Sequence, residues 1–313
     1  MIRRIAVAAS LAFAAATAQG AQPAADKAVA QLHQLFDDEW QRNLRENPEA
    51  ASFYGDHSYD DRWTDLSLGA VVRRNEDDLK AVKVLLKIPR SALPPAEQLN
   101  YDLFKKNYED SLESQRYRQF LLPMDQRNGV QTYDETSEQL PFATVKDYDN
   151  WIKRLQAFAT PVGQTMVLMR KGMGEKRTNP KIIMLRVPRQ IEQQIVDDAT
   201  DSPFYKPFTR FPDGIAAADR ERLSAQGRKA IEEVVVPAFR KLQAFINDEY
   251  LPACRDSIAA SDQPDGKAYY AWAARHYTTT KLTPAQIHET GLKEIARIRG
   301  EMEAIIRDTG FEG

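Results

Sequence analysis

The sequence predicts an all-α fold, an irregular bundle of long amphipathic helices. Three observations predict it. Apolar residues recur every three to four positions in segment after segment, which is the spacing of one buried helix face. Capping residues and prolines stand where these segments begin and end. Runs with the strict alternation of a β-strand are scarce, and residues 182–185 form the one short strand that the pattern favours.

Three long helices are predicted first, each with an apolar stripe that we expect to face inward. The first spans Asp26 to Asn47, the second follows the capping residue Ser67 and closes before Pro89, and the third opens at Pro94. The predicted inward residues include Trp40 in the first helix, Leu79 and Leu86 in the second, and Leu99 and Leu103 in the third.

Further helices follow a segment, residues 121–143, that we interpret as irregular. Thr144 and Asp147 form a capping box that starts the next helix, and a separate helix begins at Thr160-Pro161. Residues 172–214 predict short helices and packed loops, with 188–196 as the clearest helix. The stripe of 216–250 passes through Pro237 without losing its phase, which predicts one long helix bent at that proline. Another helix is predicted over residues 266–276.

The last predicted helix, Thr283 to Thr309, has complete start and stop signals. Thr283 and Gln286 form a capping box, and Gly310 provides a left-handed ending against which Phe311 can fold back. One apolar stripe predicts a buried face; it consists of Gly291, Ile295, Ile298, Met302 and Ile305. A helix of this kind requires a partner surface. Because no catalytic motif accompanies it, we expect the sequence to be the front part of a larger protein.

The first residues predict a secretory signal peptide over residues 1–18. Arg3 and Arg4 supply its positive start, an apolar stretch too short to span a bilayer follows, and Ala16-Thr17-Ala18 offers a cleavage site. An uncleaved anchor is the alternative. We expect residues 19–313 to be the N-terminal part of a single large helical domain, exported to the periplasm or secreted, with no membrane span after signal removal.

Composition excludes some classes of function. The formal net charge of −2 argues against a nucleic-acid binder, which usually carries a strong basic excess. Cys254 is the only cysteine, so an intramolecular disulfide is impossible, and its setting predicts a buried, inert thiol.

The sequence assigns no catalytic, cofactor-binding or metal-ligating residue. His288-Glu289 begins the H-E-x-x-H pattern that binds zinc, but Leu292 stands at the second histidine position. His57 lies among Asp56 and nearby acids in a loop that could hold a cation, although we prefer a loop whose acids satisfy its own backbone. His33 lies on the polar side of the first helix, where we expect it to be solvated.

Two further clusters have two interpretations each. The basic residues between Arg170 and Arg189 could attract the carboxylate of a peptide-like substrate, but we prefer a solvated segment balanced by acids in space. An aromatic stripe could form a binding cage, but we prefer a packed core; it consists of Tyr269, Tyr270, Trp272 and Tyr277.

Several phrases in order resemble one bacterial family. They are Tyr54-Gly55-Asp56 with Tyr59-Asp60-Asp61-Arg62, Asn100-Tyr101-Asp102-Leu103-Phe104, Ser202-Pro203-Phe204-Tyr205, Tyr277-Thr278-Thr279-Thr280, and Leu282 to Leu292. The set resembles the family catalogued as domain of unknown function 885, and the similarity covers nearly all of the chain after residue 18.

This resemblance implies a zinc-dependent peptidase with an all-helical, channel-shaped fold, of which the present chain would form one wall. The family's zinc signature lies beyond the Thr283 helix, so no metal ligand or catalytic glutamate falls on any position of this sequence. A missing C-terminal half would therefore supply the zinc and its general base, and the substrate would be a peptide. The alternative hypothesis is a complete, non-catalytic helical scaffold or binding protein of the periplasm.

Overall fold

The computed structural model describes residues 23–310 in full and residues 2–22 by backbone alone, within the first helix. The signal peptide predicted at residues 1–18 and the contact predicted for Phe311 lie outside the fully described residues. The described chain forms two compact units, of which the first ends at Asp256 and the second begins at Ser257. The single large domain expected for residues 19–313 of a longer protein stays a prediction.

The predicted all-α fold is confirmed, and no β-strand forms among the described residues. Thirteen α-helical segments, several of them single turns, follow one another along the described chain. They are α1 (Ile2–Glu46), α2 (Pro48–Phe53), α3 (Leu68–Leu85), α4 (Pro95–Gln115), α5 (Val145–Ala157), α6 (Ala159–Gly174), α7 (Lys181–Met184), α8 (Val187–Glu192), α9 (Ala217–Ala230), α10 (Val236–Phe245), α11 (Leu251–Ala253), α12 (Gly266–Thr278) and α13 (Pro284–Asp308).

The centre of the first unit is an aromatic core, which we define by Trp151, Phe158, Phe204 and Phe239. All four side chains are fully buried, and Phe158 lies 5.2 Å from Phe204 and 5.1 Å from Phe239 between ring centroids. The indole of Trp151 donates to the carbonyl of Phe204 at 3.1 Å, so its polar atom is satisfied. Burial of each ring contributes about 1.5–3 kcal/mol.

Helices α1, α3 and α4 form a three-helix layer with a smaller apolar cluster of its own. Leu32 of α1, Leu85 of α3 and Tyr101 of α4 belong to it. Several residues predicted to face inward are instead exposed, so that part of the prediction was wrong; they are Trp40, Leu79, Leu86, Leu99 and Leu103. Each helix carries more apolar residues than the face it shares with its neighbours can cover. In α4 the stripe that neighbouring helices cover contains Tyr101 and not Leu99.

The predicted long helix through Pro237 is confirmed, because helical hydrogen bonding continues from α9 through α10 to α11. Two π-helical turns, Ile231–Val235 and Ile246–Tyr250, join these segments. In each case a backbone N–H bonds five residues back, Val236 to Ile231 and Leu251 to Ile246, and a proline follows immediately at 237 or 252. The wider turn accommodates a residue that lacks an N–H and would crowd an α-helical carbonyl.

The strand predicted at residues 182–185 was wrong, because Lys181–Met184 form the short helix α7. Pro180 caps this helix and makes one isolated parallel bridge to Arg255, which no neighbouring strand extends. The segment predicted to be irregular contains a 3₁₀ helix, Val130–Gln139. The capping box of Thr144 and Asp147 is confirmed.

The second unit contains α12 and α13. The capping box of Thr283 and Gln286 is confirmed, and Gly310 has a φ of 66°, as the left-handed ending requires. Within the described chain α13 buries no residue, and Ile295, Ile298, Met302 and Ile305 are all exposed. The predicted aromatic core on α12 was wrong for Tyr270 and Tyr277, which are exposed; Tyr269 and Trp272 are half-buried.

Candidate functional site

The four histidines of the sequence lie on separate elements. His33 is half-exposed and its Nε2 lies 3.0 Å from Glu97 Oε1, while His276 stacks on Trp272. On α13, His288 is exposed and Glu289 pairs with Lys293 at 2.9 Å. Among the described residues no group of three or more histidine, cysteine or acidic side chains is arranged to hold a metal ion.

The loop around His57 uses its acids internally, as we preferred. Asp56 accepts a hydrogen bond from the backbone N–H of Ser58 at 2.9 Å, and hydrogen bonds from Ser58 lower the pKa of Asp56. The buried Asp60 accepts from the Ser52 hydroxyl at 2.5 Å and lies 2.9 Å from His57 Nδ1. These contacts give the acidic residues of the loop a structural role.

Sequence reasoning missed Arg154, which is fully buried at the edge of the aromatic core. Its guanidinium donates to the carbonyl of Arg62 at 2.9 Å and to the Ser52 hydroxyl at 3.1 Å, and it lies over the Trp63 ring at 5.1 Å. Burial lowers the pKa of Arg154, and the charges of nearby acids oppose that shift. One feature of the sequence could have revealed it: an arginine stands between Trp151 and Leu155 on the apolar stripe of α5. We call these contacts the Arg154 network; they fix the loop that follows α2 onto the core.

A polar pocket of about 430 Å³ lies on the three-helix layer. Its lining combines two paired cations and their acids with two hydroxyl side chains and four carboxamides. The charged residues are Arg42, Glu46, Arg74 and Asp78, the hydroxyls belong to Tyr108 and Ser111, and the carboxamides belong to Asn43, Asn47, Asn107 and Gln115. Carboxamides both donate and accept hydrogen bonds, so this surface complements neutral polar groups.

The charges of the polar pocket neutralise one another. Arg42 donates to Glu39 and to Asp78, each at 2.6 Å, and Tyr108 donates to Glu39 at 2.6 Å. Burial alone would lower the pKa of Arg42, but its hydrogen bonds to Glu39 and Asp78 raise that pKa overall. Burial raises the pKa of Tyr108, and the hydrogen bond to Glu39 and the charge of Glu39 raise it further. Arginine and tyrosine therefore both keep their protons, and the pocket carries fixed dipoles with little net charge.

An apolar pocket of about 270 Å³ adjoins the polar pocket, since Arg74 lines both. Its walls come from α3, α6 and the segment between α4 and α5. The apolar lining residues are Leu66, Val71, Phe120, Pro123, Val130, Tyr133 and Leu168. Thr165 lies in the same wall, is 1% exposed, and its hydroxyl has no hydrogen-bond partner. A groove of about 440 Å³ lies between α1 and α3. Its lining mixes apolar residues such as Leu35 and Val84 with the polar residues Lys27, Gln31, Gln34, Asp38 and Lys87.

Two cations of the basic segment, Arg170 and Lys171, pair with acids, which agrees with the balanced segment that we preferred. Arg170 makes two hydrogen bonds to Glu249, at 2.8 and 2.7 Å, and Lys171 and Arg118 both contact Glu175. Arg177 is buried and donates to the carbonyl of Tyr117 at 3.2 Å. These cations stabilise the fold, and we do not assign them to a substrate.

Cys254 is buried, as expected of an inert thiol. Desolvation raises its pKa to about 11, although Lys181 and Arg255 act in the opposite direction. A thiol of this pKa is almost entirely protonated at neutral pH and is a poor nucleophile.

Comparison with known families identifies the chain. The family described as "Bacterial protein of unknown function (DUF885)" matches residues 48–313. The chain belongs to the DUF885 family. The resemblance noted in the sequence is thereby confirmed at the level of the family.

One solved structure shows the same fold as this DUF885 chain. It is described as "The crystal structure of the putative lipoprotein from Colwellia psychrerythraea", with a TM-score of 0.79 and 18% sequence identity. The similarity covers 90% of the present chain and 52% of that protein, so the chain spans about half of its structural relative. No curated protein matches the sequence. Among the described residues, none of the helices is long and apolar enough to cross a membrane.

Proposed function

We propose that this DUF885 chain is the N-terminal part of an exported zinc-dependent peptidase, in which it forms one wall of the substrate cleft. The observation that carries the proposal is the polar pocket. Its paired charges and its carboxamides Asn107 and Gln115 suit a peptide backbone, which is neutral and offers alternating donors and acceptors. Positioning of this kind contributes much of the rate of an enzyme.

The zinc and the glutamate that activates water would come from the remainder of the longer protein. Such an ion would polarise the scissile carbonyl and lower the pKa of its bound water. The coverage of 52% of the structural relative supports a protein of about twice this length. Export is supported by the signal peptide predicted at residues 1–18 and by the description of that relative as a lipoprotein.

The exposed face of α13 fits the same proposal. Ile295, Ile298 and Met302 project from a helix that buries nothing within the described chain. In a longer protein we expect the remaining polypeptide to cover this face, because large exposed apolar patches mark interaction surfaces. In its absence, two copies of the chain should associate there.

The decisive experiment reads the DNA beyond codon 313 and tests its product. A zinc-binding H-E-x-x-H-type motif downstream, stoichiometric zinc in the longer protein and zinc-dependent peptide hydrolysis would support the proposal. A stop codon, or a longer protein without zinc or hydrolysis, would favour the alternative of a non-catalytic scaffold. The chain of residues 19–313 alone should be inactive.

Sedimentation velocity tests the role of α13. Residues 19–313 should self-associate as concentration rises, and Ile298→Lys should abolish the association because it places a charge in the apolar face. Ala296→Lys adds the same charge to an exposed position beside that face and serves as the control. A chain that stays monomeric, or equal behaviour of the two variants, would contradict this role.

A further inference from the structure

We propose that the apolar pocket is a specificity subsite for one hydrophobic side chain of a peptide whose backbone crosses the adjoining polar pocket. This inference rests on the proposed peptide-binding role and adds to it a preference in the substrate. It concerns the described residues of the first unit only.

The size of the pocket suits one side chain. Its volume of about 270 Å³ lies just below the roughly 300–1,000 Å³ of pockets that enclose whole small molecules. Its walls are aliphatic and aromatic, with Val71 and Leu168 on helices and Phe120 on the segment between α4 and α5. A leucine or phenylalanine side chain would exchange water for these walls. A charged side chain would lose its hydration and would meet only Arg74, which the Asp65 carbonyl and Glu46 already hold.

The wall has a fixed shape and few polar groups. Gly129 has a φ of 139°, and a Cβ there would lie 2.5 Å from Gln131 Oε1 and 2.8 Å from Met124 Cγ, so glycine is required where the chain turns along the pocket. Thr165 adds a buried hydroxyl without a partner. Apolar walls with few polar groups are typical of ligand pockets.

The boundary between the two pockets favours an uncharged ligand. Arg74 lines both, and its guanidinium donates to the carbonyl of Asp65 at 2.8 Å and lies 3.6 Å from Glu46. These two oxygen acceptors hold the guanidinium in place, although Glu46 also pairs with Arg73 at 2.8 Å. Arg74 would therefore gain less from a free carboxylate or phosphate than an unpaired arginine would. A peptide that enters the apolar pocket with a side chain would bring its amide groups over the carboxamides of the polar pocket.

The test follows the Leu and Val methyl NMR signals of residues 19–313 during titration with blocked pentapeptides. Acetyl-Ala-Ala-Phe-Ala-Ala-amide should shift the methyl signals of Leu66, Val130 and Leu168 and bind at least tenfold more tightly than the all-alanine peptide. The corresponding peptide with a central glutamate should bind no better than the all-alanine peptide. Equal affinity for the three peptides, or shifts confined to other methyl groups, would overturn the subsite.

Two matched variants test whether the apolar pocket causes the preference for phenylalanine. Val71→Trp fills the pocket and should weaken binding of the phenylalanine peptide at least tenfold. Val72→Trp adds the same bulk to the neighbouring residue, which is 57% exposed, and should leave binding unchanged. Thermal unfolding of both variants checks the fold, and Val71→Met provides a milder filling if Val71→Trp does not fold. Unchanged binding in a folded pocket-filling variant would refute the assignment.

These binding measurements involve no hydrolysis, so failure of the subsite can be distinguished from failure of the proposed peptidase function. Binding that depends on Val71, in a protein without peptidase activity, would retain the subsite and exclude the peptidase. Hydrolysis by the longer protein with the same preference in the wild type and Val71→Trp would retain the peptidase and exclude the subsite.

Discussion

The aromatic core and the three-helix layer use the same kind of amphipathic helix with different results. In the core, Trp151, Phe204 and Phe239 are fully buried, and buried polar side chains near them, such as Arg154, are held by hydrogen bonds within the fold. In the layer, Leu99 and Leu103 remain more than half exposed while charged residues such as Arg42 line a pocket. The core is thus surrounded by partner surfaces, whereas the layer has one face that the described chain leaves available. Stability is expected to reside in the core and recognition in the layer.

Removal of Arg154 should have the largest effect on stability, because its network joins the core to the loop after α2. Arg154→Ala leaves the buried Asp60 without its neighbouring cation and removes the hydrogen bonds to Ser52 and Arg62. We expect the free energy of unfolding to fall by about 3–5 kcal/mol in urea titrations. The adjacent, exposed Lys153→Ala should change it by less than about 0.5 kcal/mol. Similar values for both variants would show that the network does not hold the loop.

A matched pair of leucines compares the two regions directly. Leu242 is fully buried in α10, and Leu242→Ala should lower the free energy of unfolding by about 2–5 kcal/mol through lost burial and a cavity. Leu103→Ala in the layer removes a side chain that is 51% exposed and should cost less than about 0.5 kcal/mol. Equal losses in denaturant titrations would mean that Leu103 is covered in solution.

The buried thiol of Cys254 predicts that the free energy of unfolding depends on pH in the alkaline range. Burial raises the pKa of Cys254 to about 11, so the folded protein keeps the thiol proton where the unfolded chain has already lost it. The stability that comes from this group is complete below about pH 9 and is lost as the pH rises towards 11. Its size is on the order of 2 kcal/mol. The difference in unfolding free energy between wild type and Cys254→Ala should shrink over that range; a constant difference would contradict the burial of the thiol.

The smallest effect is expected from one hydrogen bond in the layer. Tyr108→Phe removes the donor to Glu39, a contact of 2.6 Å at the edge of the polar pocket. We expect a loss of about 1 kcal/mol in unfolding free energy, because the group is only half-buried and water can replace the donor. Tyr101 of the same helix is buried in the layer's apolar cluster, and Tyr101→Ala should cost more. The reverse order would show that the polar network, rather than apolar packing, holds the layer together.

The sequence predicted the parts of the fold that depend on local signals. Capping boxes at Thr144 and Thr283 and the helix through Pro237 follow from residue chemistry within a few positions, and all three are confirmed. Which stripe of a helix becomes covered depends on neighbours far away in the chain, which is why Leu99 and Leu103 were assigned to the wrong side. Residues 182–185 have the composition of a strand, but within the described part of the chain no strand lies beside them to complete a sheet.

The candidate site was not predictable in the same way. The polar pocket draws its residues from three helices and from Asn47 after α1, so spacing along one helix gives no sign of it. The Arg154 network joins residues about a hundred positions apart, and only the placement of an arginine inside the apolar stripe of α5 indicated it. The absence of an assigned catalytic residue in the sequence stays a prediction for this chain.

The paired π-turns before Pro237 and Pro252 make the length of this helix critical. Each wide turn holds one residue more than an α-helical turn would, so a single-residue deletion there would remove the room that the proline needs. Everything downstream would also rotate by roughly 100° about the helix axis. The thiol of Cys254 would then leave its buried position, and the bridge from Arg255 to Pro180 would no longer be aligned. Insertions and deletions should therefore be tolerated in the loops of this protein but not along residues 231–253.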